Sequence, residues 1–163
     1  MTSDNESQDS VVLERTLDAP AELVWSMWTE PEHFSAWYGP QGADVTVKRM
    51  DVRVGGPRLV GMTMEGPNGT MSMWFAGEHR EVVPSERLAY TESMSDEDGN
   101  VKDASETPDG HPGTTTVVVE LRATDGGTTM TMTHQGVPAD SPGAAGWNMA
   151  FDKLEPYLAD QQA

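Results

Sequence analysis

The side chains able to do chemistry are few in this 163-residue chain, and they are scattered. Its four histidines, His33, His79, His111 and His134, fall on different segments. No two of them stand at the i, i+4 spacing that puts two metal ligands on one helix face. Cysteine is absent, which removes disulfides, thiolate nucleophiles and Cys-based metal sites together. No metal ion and no cofactor is expected. His134 is the one catalytic candidate. It ends a segment in which Met130 and Met132 share its parity. If its ring points inward, it can act as a general base or orient a ligand carbonyl, with Glu78 or Arg80 as partner. The competing reading is a hydrogen-bonded histidine at a strand end. Ser26, Ser72 and the threonines show no paired base and orienting group, so no Ser-His-Asp triad can be assembled. Gly55-Gly56 reads as a turn that needs positive φ, because both a GxGxxG pattern and a Lys-bearing phosphate loop are missing. Asp51 and Arg53, two residues apart, share one strand face. They are either a structural ion pair or cap, or a polar anchor at a cavity mouth.

Methionine is the sharpest compositional signal, with eleven in the chain. Met62, Met64, Met71, Met73, Met130 and Met132 fall in strand-like segments at period two. A flexible, polarisable side chain adapts to irregular apolar guests, and it also fills gaps in an ordinary core. The expected ligand-lining set is Trp37, Met62, Met64, Met73, Phe75, Met130, Met132, Trp147 and Phe151, with Arg53 or His134 as the orienting polar group. Burying ~200 Å² of apolar ligand surface would contribute ~5 kcal/mol before association costs. That suffices for a weak to moderate carrier.

Ten basic residues against 27 acidic ones give a net charge of −17, and lysine occurs only at Lys48, Lys102 and Lys153. Such a surface repels nucleic acid and anionic lipid, so neither partner is expected. The acids are spread along the chain, at Glu14, Asp44, Glu65, Glu92, Glu120 and Asp160 among others. That fits a halophilic surface, kept soluble in concentrated salt, better than a localised acidic docking face. No apolar run approaches the ~20 residues of a membrane helix. The N-terminus is acidic and polar where a secretory signal would be basic and then apolar, so a cytoplasmic protein is expected.

The elements that must position these residues follow from periodicity. Residues 1–10 are polar and expected to be disordered. Residues 11–17 read as a strand. Pro20 opens a helix over residues 21–28, and Pro31 a second short one that ends at Trp37 before Gly39-Pro40. About six strands follow, punctuated by Gly55-Gly56-Pro57, Pro67-Asn68-Gly69, Pro84-Ser85-Glu86 and Asp125-Gly126-Gly127. Residues 95–112 are acidic and aperiodic and read as a long solvated loop. They lack the ligand spacing and closing Glu of a calcium loop. Asp140-Ser141-Pro142 caps a final helix. Its stripe is Trp147, Phe151, Leu154 and Leu158, and Pro156 should kink or end it. Strands segregated from helices mean an α+β fold: a curved antiparallel sheet of six to seven strands around a long C-terminal helix, forming one domain over residues 11–160.

The order and spacing of several short motifs are similar to a known pattern. These are Ala19-Pro20-Ala21-Glu22-Leu23-Val24-Trp25, Trp37-Tyr38-Gly39-Pro40, Asp51-Val52-Arg53-Val54-Gly55-Gly56, Glu81-Val82-Val83-Pro84-Ser85-Glu86-Arg87-Leu88, and Gly146-Trp147 with Leu154 and Leu158. Together they resemble the START-like, or SRPBCC, superfamily with its helix-grip fold. Within it they resemble the family named for the C-terminal domain of the activator of the heat-shock-protein-90 ATPase. The resemblance implies a cavity between sheet and C-terminal helix that holds a small apolar or aromatic molecule. It transfers no catalytic residue, since the family shares none. Two other functions stay open: a cyclase- or hydrolase-type enzyme using His134, and a co-chaperone-like module acting on a chaperone partner through its acidic face.

Overall fold

The computed structural model describes residues 10–39, 42–67, 69–101, 114–137 and 142–162. The elements run β1 (Ser10–Leu17), α1 (Ala21–Thr29), α2 (Pro31–Trp37), β2 (Asp44–Met50), β3 (Pro57–Gly66), β4 (Gly69–Val83), β5 (Arg87–Ser95), β6 (Thr114–Thr124), β7 (Gly127–Gln135) and α3 (Pro142–Gln161). The seven strands form one curved antiparallel sheet in the order β1-β7-β6-β5-β4-β3-β2. This is the α+β architecture expected, with two short helices after the first strand and a long one at the C-terminus. Met1 to Asp9, Pro40, Asn68 of the β3–β4 hairpin, His111 and the Asp140-Ser141 cap lie outside the described residues.

Strand periodicity decides which side chains face the helices. Leu88 and Tyr90 on β5, Val117, Val119 and Leu121 on β6, and Met130 and Met132 on β7 are buried on the inner face. From α3 the stripe Trp147, Ala150, Phe151, Leu154 and Leu158 closes on them. Salt bridges from Arg15 of β1 to Asp152 and Glu155 tie the edge strand to this helix. Between sheet and helices sits a cluster of rings. Trp28 contacts Trp37 at 4.9 Å and Trp147 at 5.9 Å between centroids, and Phe34 stacks on Tyr38 at 4.5 Å. Such pairs add stability beyond their buried area.

One expectation needs correction, and the structure sharpens two others. Asp51 and Arg53 do not share a strand, because β2 ends at Met50. They lie in the turn to β3, where Arg53 Nε donates to Asp51 Oδ2 at 2.8 Å as an exposed ion pair. Pro156 does not end α3, which continues to Gln161. The proline is exposed, so the carbonyl it leaves unpaired can be solvated. The start of the acidic loop forms a hydrogen-bonded turn. Asp96 Oδ1 accepts from the backbone N–H groups of Asp98 and Asn100, and Val101 bridges back to Ser95. Those hydrogen bonds hold the Asp96 carboxyl below its ordinary range. The rest of that loop lies outside the described residues.

Candidate site: a buried polar network beside a methionine face

Inward parity on β3, β5, β6 and β7 carries more than apolar residues. On β3 the row is Arg58, Val60, Met62 and Met64, and on β5 it is Leu88, Tyr90, Glu92 and Met94. Thr115 leads the β6 row, and His134 ends the β7 row. The register sets Glu92 opposite Thr115 and Val117 opposite His134. Tyr38, just after α2, and Trp147 of α3 reach the same region from above. All seven polar members (Tyr38, Arg58, Tyr90, Glu92, Thr115, His134 and Trp147) are buried.

Their connections are specific. Trp147 Nε1 donates to His134 Nδ1 at 2.9 Å. Because the indole nitrogen can only donate, His134 Nδ1 must hold a lone pair. The ring is therefore neutral with its proton on Nε2, which points at Thr115 Oγ1 at 2.8 Å. Thr115 in turn donates to the Glu92 carbonyl at 3.4 Å. Tyr38 Oη donates to Glu92 Oε2 at 3.2 Å. Burial first, and the Glu92 carboxylate second, push the Tyr38 phenol well above its ordinary pKa, so it stays a donor.

Arg58 is the unusual member. Its side chain is 1% exposed, and its Nη1 lies 3.6 Å from Glu92 Oε2, an ion pair removed from water. The guanidinium stacks on the Tyr90 ring with its carbon 3.6 Å from the centroid, and sits 5.4 Å from that of Phe34. Apart from one another, and from Glu92 across 3.6 Å, Arg58 Nε, Arg58 Nη1 and Tyr90 Oη have no hydrogen-bond partner among the described residues. Burial raises the Tyr90 phenol pKa, and the adjacent guanidinium pulls it partly back. His79, fully buried next to this pair, donates from Nδ1 to the Gly56 carbonyl at 3.2 Å. Burial, then the Arg58 charge, lower its pKa.

The residues expected to line a ligand space divide into three groups. Trp37, Met130, Met132 and Phe151 are wholly buried, with Trp147 and Met62 nearly so. Several are already satisfied by packing: Trp37 Nε1 donates to the Met27 carbonyl, and Trp28 Nε1 to Met130 Sδ at 3.3 Å. Met64, Met73 and Phe75 are half-buried on the inner face of β3 and β4, where Met62 faces Met73 across the ladder. Arg53 is in neither place: it is 67% exposed and paired with Asp51. His134 does point inward, but Glu78 and Arg80 are not its partners. They lie on β4, three strands away in the sheet order, and pair with each other. The carboxylate near His134 is Glu92, with Oε1 3.8 Å from Nε2.

Sequence reasoning passed over Arg58, Glu92, Tyr38, Tyr90 and Thr115. A signal was available for two of them. Arg58 and Glu92 fall in phase with rows of apolar residues, and a charge on the buried parity of a strand is costly unless it has a purpose or a partner. Among the described residues no group of three His, Asp or Glu could hold a metal ion. No described helix is long and apolar enough to cross a membrane.

A curved antiparallel sheet gripping a C-terminal helix, with rings and a polar network between them, defines a helix-grip domain of the START-like class. The chain belongs to the family described as Activator of Hsp90 ATPase homolog 1-like protein, which matches residues 18–159. Solved structures agree. A Chromobacterium violaceum protein is similar at 25% identity over 92% of this chain and 96% of its own, with a TM-score of 0.76. The AHSA1 protein of Silicibacter pomeroyi shares the fold at 19% identity, covering 93% and 99%, with a TM-score of 0.72. The AHSA1-like protein of Aeromonas hydrophila shares it at 22% identity, covering 94% of both chains, with a TM-score of 0.69. No curated relative matches the chain.

Proposed function

We propose that the protein binds a small apolar or aromatic molecule against the inner face of its sheet, with the buried polar network fixing the ligand's orientation. The observation that carries this reading is the course of the inner face along β3 and β4. It leaves the buried Arg58 and Val60, passes the half-buried Met64, Met73 and Phe75, and reaches Met71, which is 55% exposed. An apolar, methionine-rich face that is only half covered, and continuous with a buried polar group, suits an adaptable binding surface. Both ring nitrogens of His134 are already engaged, by Trp147 and Thr115. That favours a positioning role over general-base catalysis. The acidic surface, at a net charge of −17, fits a cytoplasmic protein working in concentrated salt.

Native mass spectrometry of the purified protein tests the reading. The expected spectrum contains a species carrying a small-molecule mass that is lost on denaturation. Apo protein alone, from preparations grown and lysed at several salt concentrations, would contradict it. A second reading comes from the family description and the surface charge: an interaction module for a heat-shock-protein ATPase. It predicts a complex whose affinity falls steeply with salt, whereas ligand uptake would be salt-insensitive once the protein is folded.

A further inference from the structure

The β3–β4 hairpin sets four methionines in a two-by-two block. Met62 faces Met73 across the ladder, and Met64 faces Met71. All four stand on the inner parity of their strands, two residues apart along each. Met94 of β5 borders the block: it pairs with Phe75, which follows Met73 in the same inner row. Strands ordinarily fill such positions with β-branched and aromatic residues. Methionine loses more rotamer freedom on burial than they do, and Met71, at 55% exposed, is not held there by burial at all. What the four share is a polarisable thioether sulfur, a neutral donor that takes up no proton over the physiological pH range.

From this placement we infer a soft-metal site: one Cu(I) ion held by the sulfurs of Met62, Met64, Met71 and Met73. Directly opposed Cβ atoms in an antiparallel ladder lie about 5 Å apart, and residues i and i+2 about 7 Å. An ion over the middle of that rectangle is roughly 4–5 Å from each Cβ, within the span of two side-chain bonds and one metal–sulfur bond. Met62 Sδ rests beside Gly39 and Met71 Sδ beside Gly66, so these flexible arms swing inward on binding. Thioethers favour Cu(I) over the hard ions that carboxylates hold, and a net charge of −17 draws cations to the surface. The inference does not rest on the apolar-ligand reading, because it uses the sulfurs and not the apolar area they cover.

Silver(I), a redox-inert stand-in for Cu(I), is the first probe, in potassium nitrate because chloride would precipitate it. Isothermal titration calorimetry should show one saturable ion per chain. Its affinity should be the same at about pH 5.5 and about pH 7.5, because thioethers do not titrate there. A histidine or carboxylate site would weaken as pH falls. In protein carrying carbon-13 at the methionine ε-methyl groups, the resonances of the four should move together on titration. Those of Met27 and Met130, wholly buried in the core, should not move. Met64→Leu combined with Met71→Leu keeps the apolar bulk, so the urea midpoint should hold while silver affinity drops about tenfold or more. Met149→Leu, on α3, should change neither. Uptake without saturation, binding that weakens at the lower pH, or an unaltered affinity in the double variant would overturn the site. Cu(I), supplied without oxygen as its acetonitrile complex, should bind with the same stoichiometry. Silver bound and Cu(I) refused would overturn the choice of metal. The mass-spectrometric test of the binding function is independent of all these outcomes.

Discussion

The Arg58–Glu92 pair makes the sharpest claim on the energetics of this fold. Both side chains are more than nine-tenths buried, 3.6 Å apart. Breaking such a pair from one side leaves an uncompensated charge away from water and costs about 3–5 kcal/mol. Arg58→Met does this to the carboxylate, and Glu92→Gln does it to the guanidinium while keeping an acceptor for Tyr38 Oη. For a domain of this size each single change should lower the Tm by about 6–20 °C. The double change removes both charges together and should cost far less than the sum, with a coupling of about 2–3 kcal/mol. Urea unfolding followed by tryptophan emission, at one fixed KCl concentration, reads all four proteins. Additive losses, or single losses under about 1 kcal/mol, would mean that the two groups are solvated and that the network is not the dry site described above.

Other perturbations probe the surrounding structure. A Cβ on Gly77 would run into the Thr91 carbonyl of the neighbouring strand; Gly77→Ala should therefore cost about 1–3 kcal/mol in urea unfolding, and an unchanged midpoint would disprove the close approach. His79 is held neutral by burial below its ordinary value of 6.5. The unfolded chain thus binds a proton that the folded one does not, and stability present above about pH 6.5 is lost as pH falls from there toward the depressed folded value. His79→Gln should flatten that part of the pH–stability curve, and an identical slope in both proteins would argue against the assignment. Trp147→Phe leaves His134 Nδ1 without its donor and should cost about 1–3 kcal/mol in urea unfolding for the lost partner. With a net charge of −17, the urea midpoint should rise as KCl is raised from low to molar concentration, because screening relaxes self-repulsion. A flat response would remove the case for salt adaptation.

The fold was legible because its signals are local. Alternation in β6 and β7 put Val117, Val119, Met130 and Met132 on one face, and the four-three-four spacing of Trp147, Phe151, Leu154 and Leu158 put them on one stripe; all eight are buried. Whether Pro156 would end α3 was not legible, because a proline's cost depends on whether the orphaned carbonyl meets water, which a sequence does not display. The candidate site was only half legible. Its apolar half, including Trp37, Met73, Phe75 and Trp147, follows from composition and parity. The polar half does not, because Arg58 and Glu92 read as surface charges until the strand phase is taken seriously. Arg53 attracted notice through its spacing from Asp51, yet the strand ends before both. The partners of His134 depend on strand order, and two residues of β4 cannot reach a strand placed on the far side of β5 and β6.

The side-chain Nε–H resonance of Arg58 reports most directly on whether a bound molecule meets the buried polar network. In protein labelled with nitrogen-15 it should appear as a slowly exchanging signal, assigned by its loss in Arg58→Met. It should move in proportion to the occupancy measured by calorimetry as acetylnaphthalene, a small aromatic probe, is added. A resonance that stays in place while the ligand demonstrably binds would put the ligand elsewhere and contradict the site.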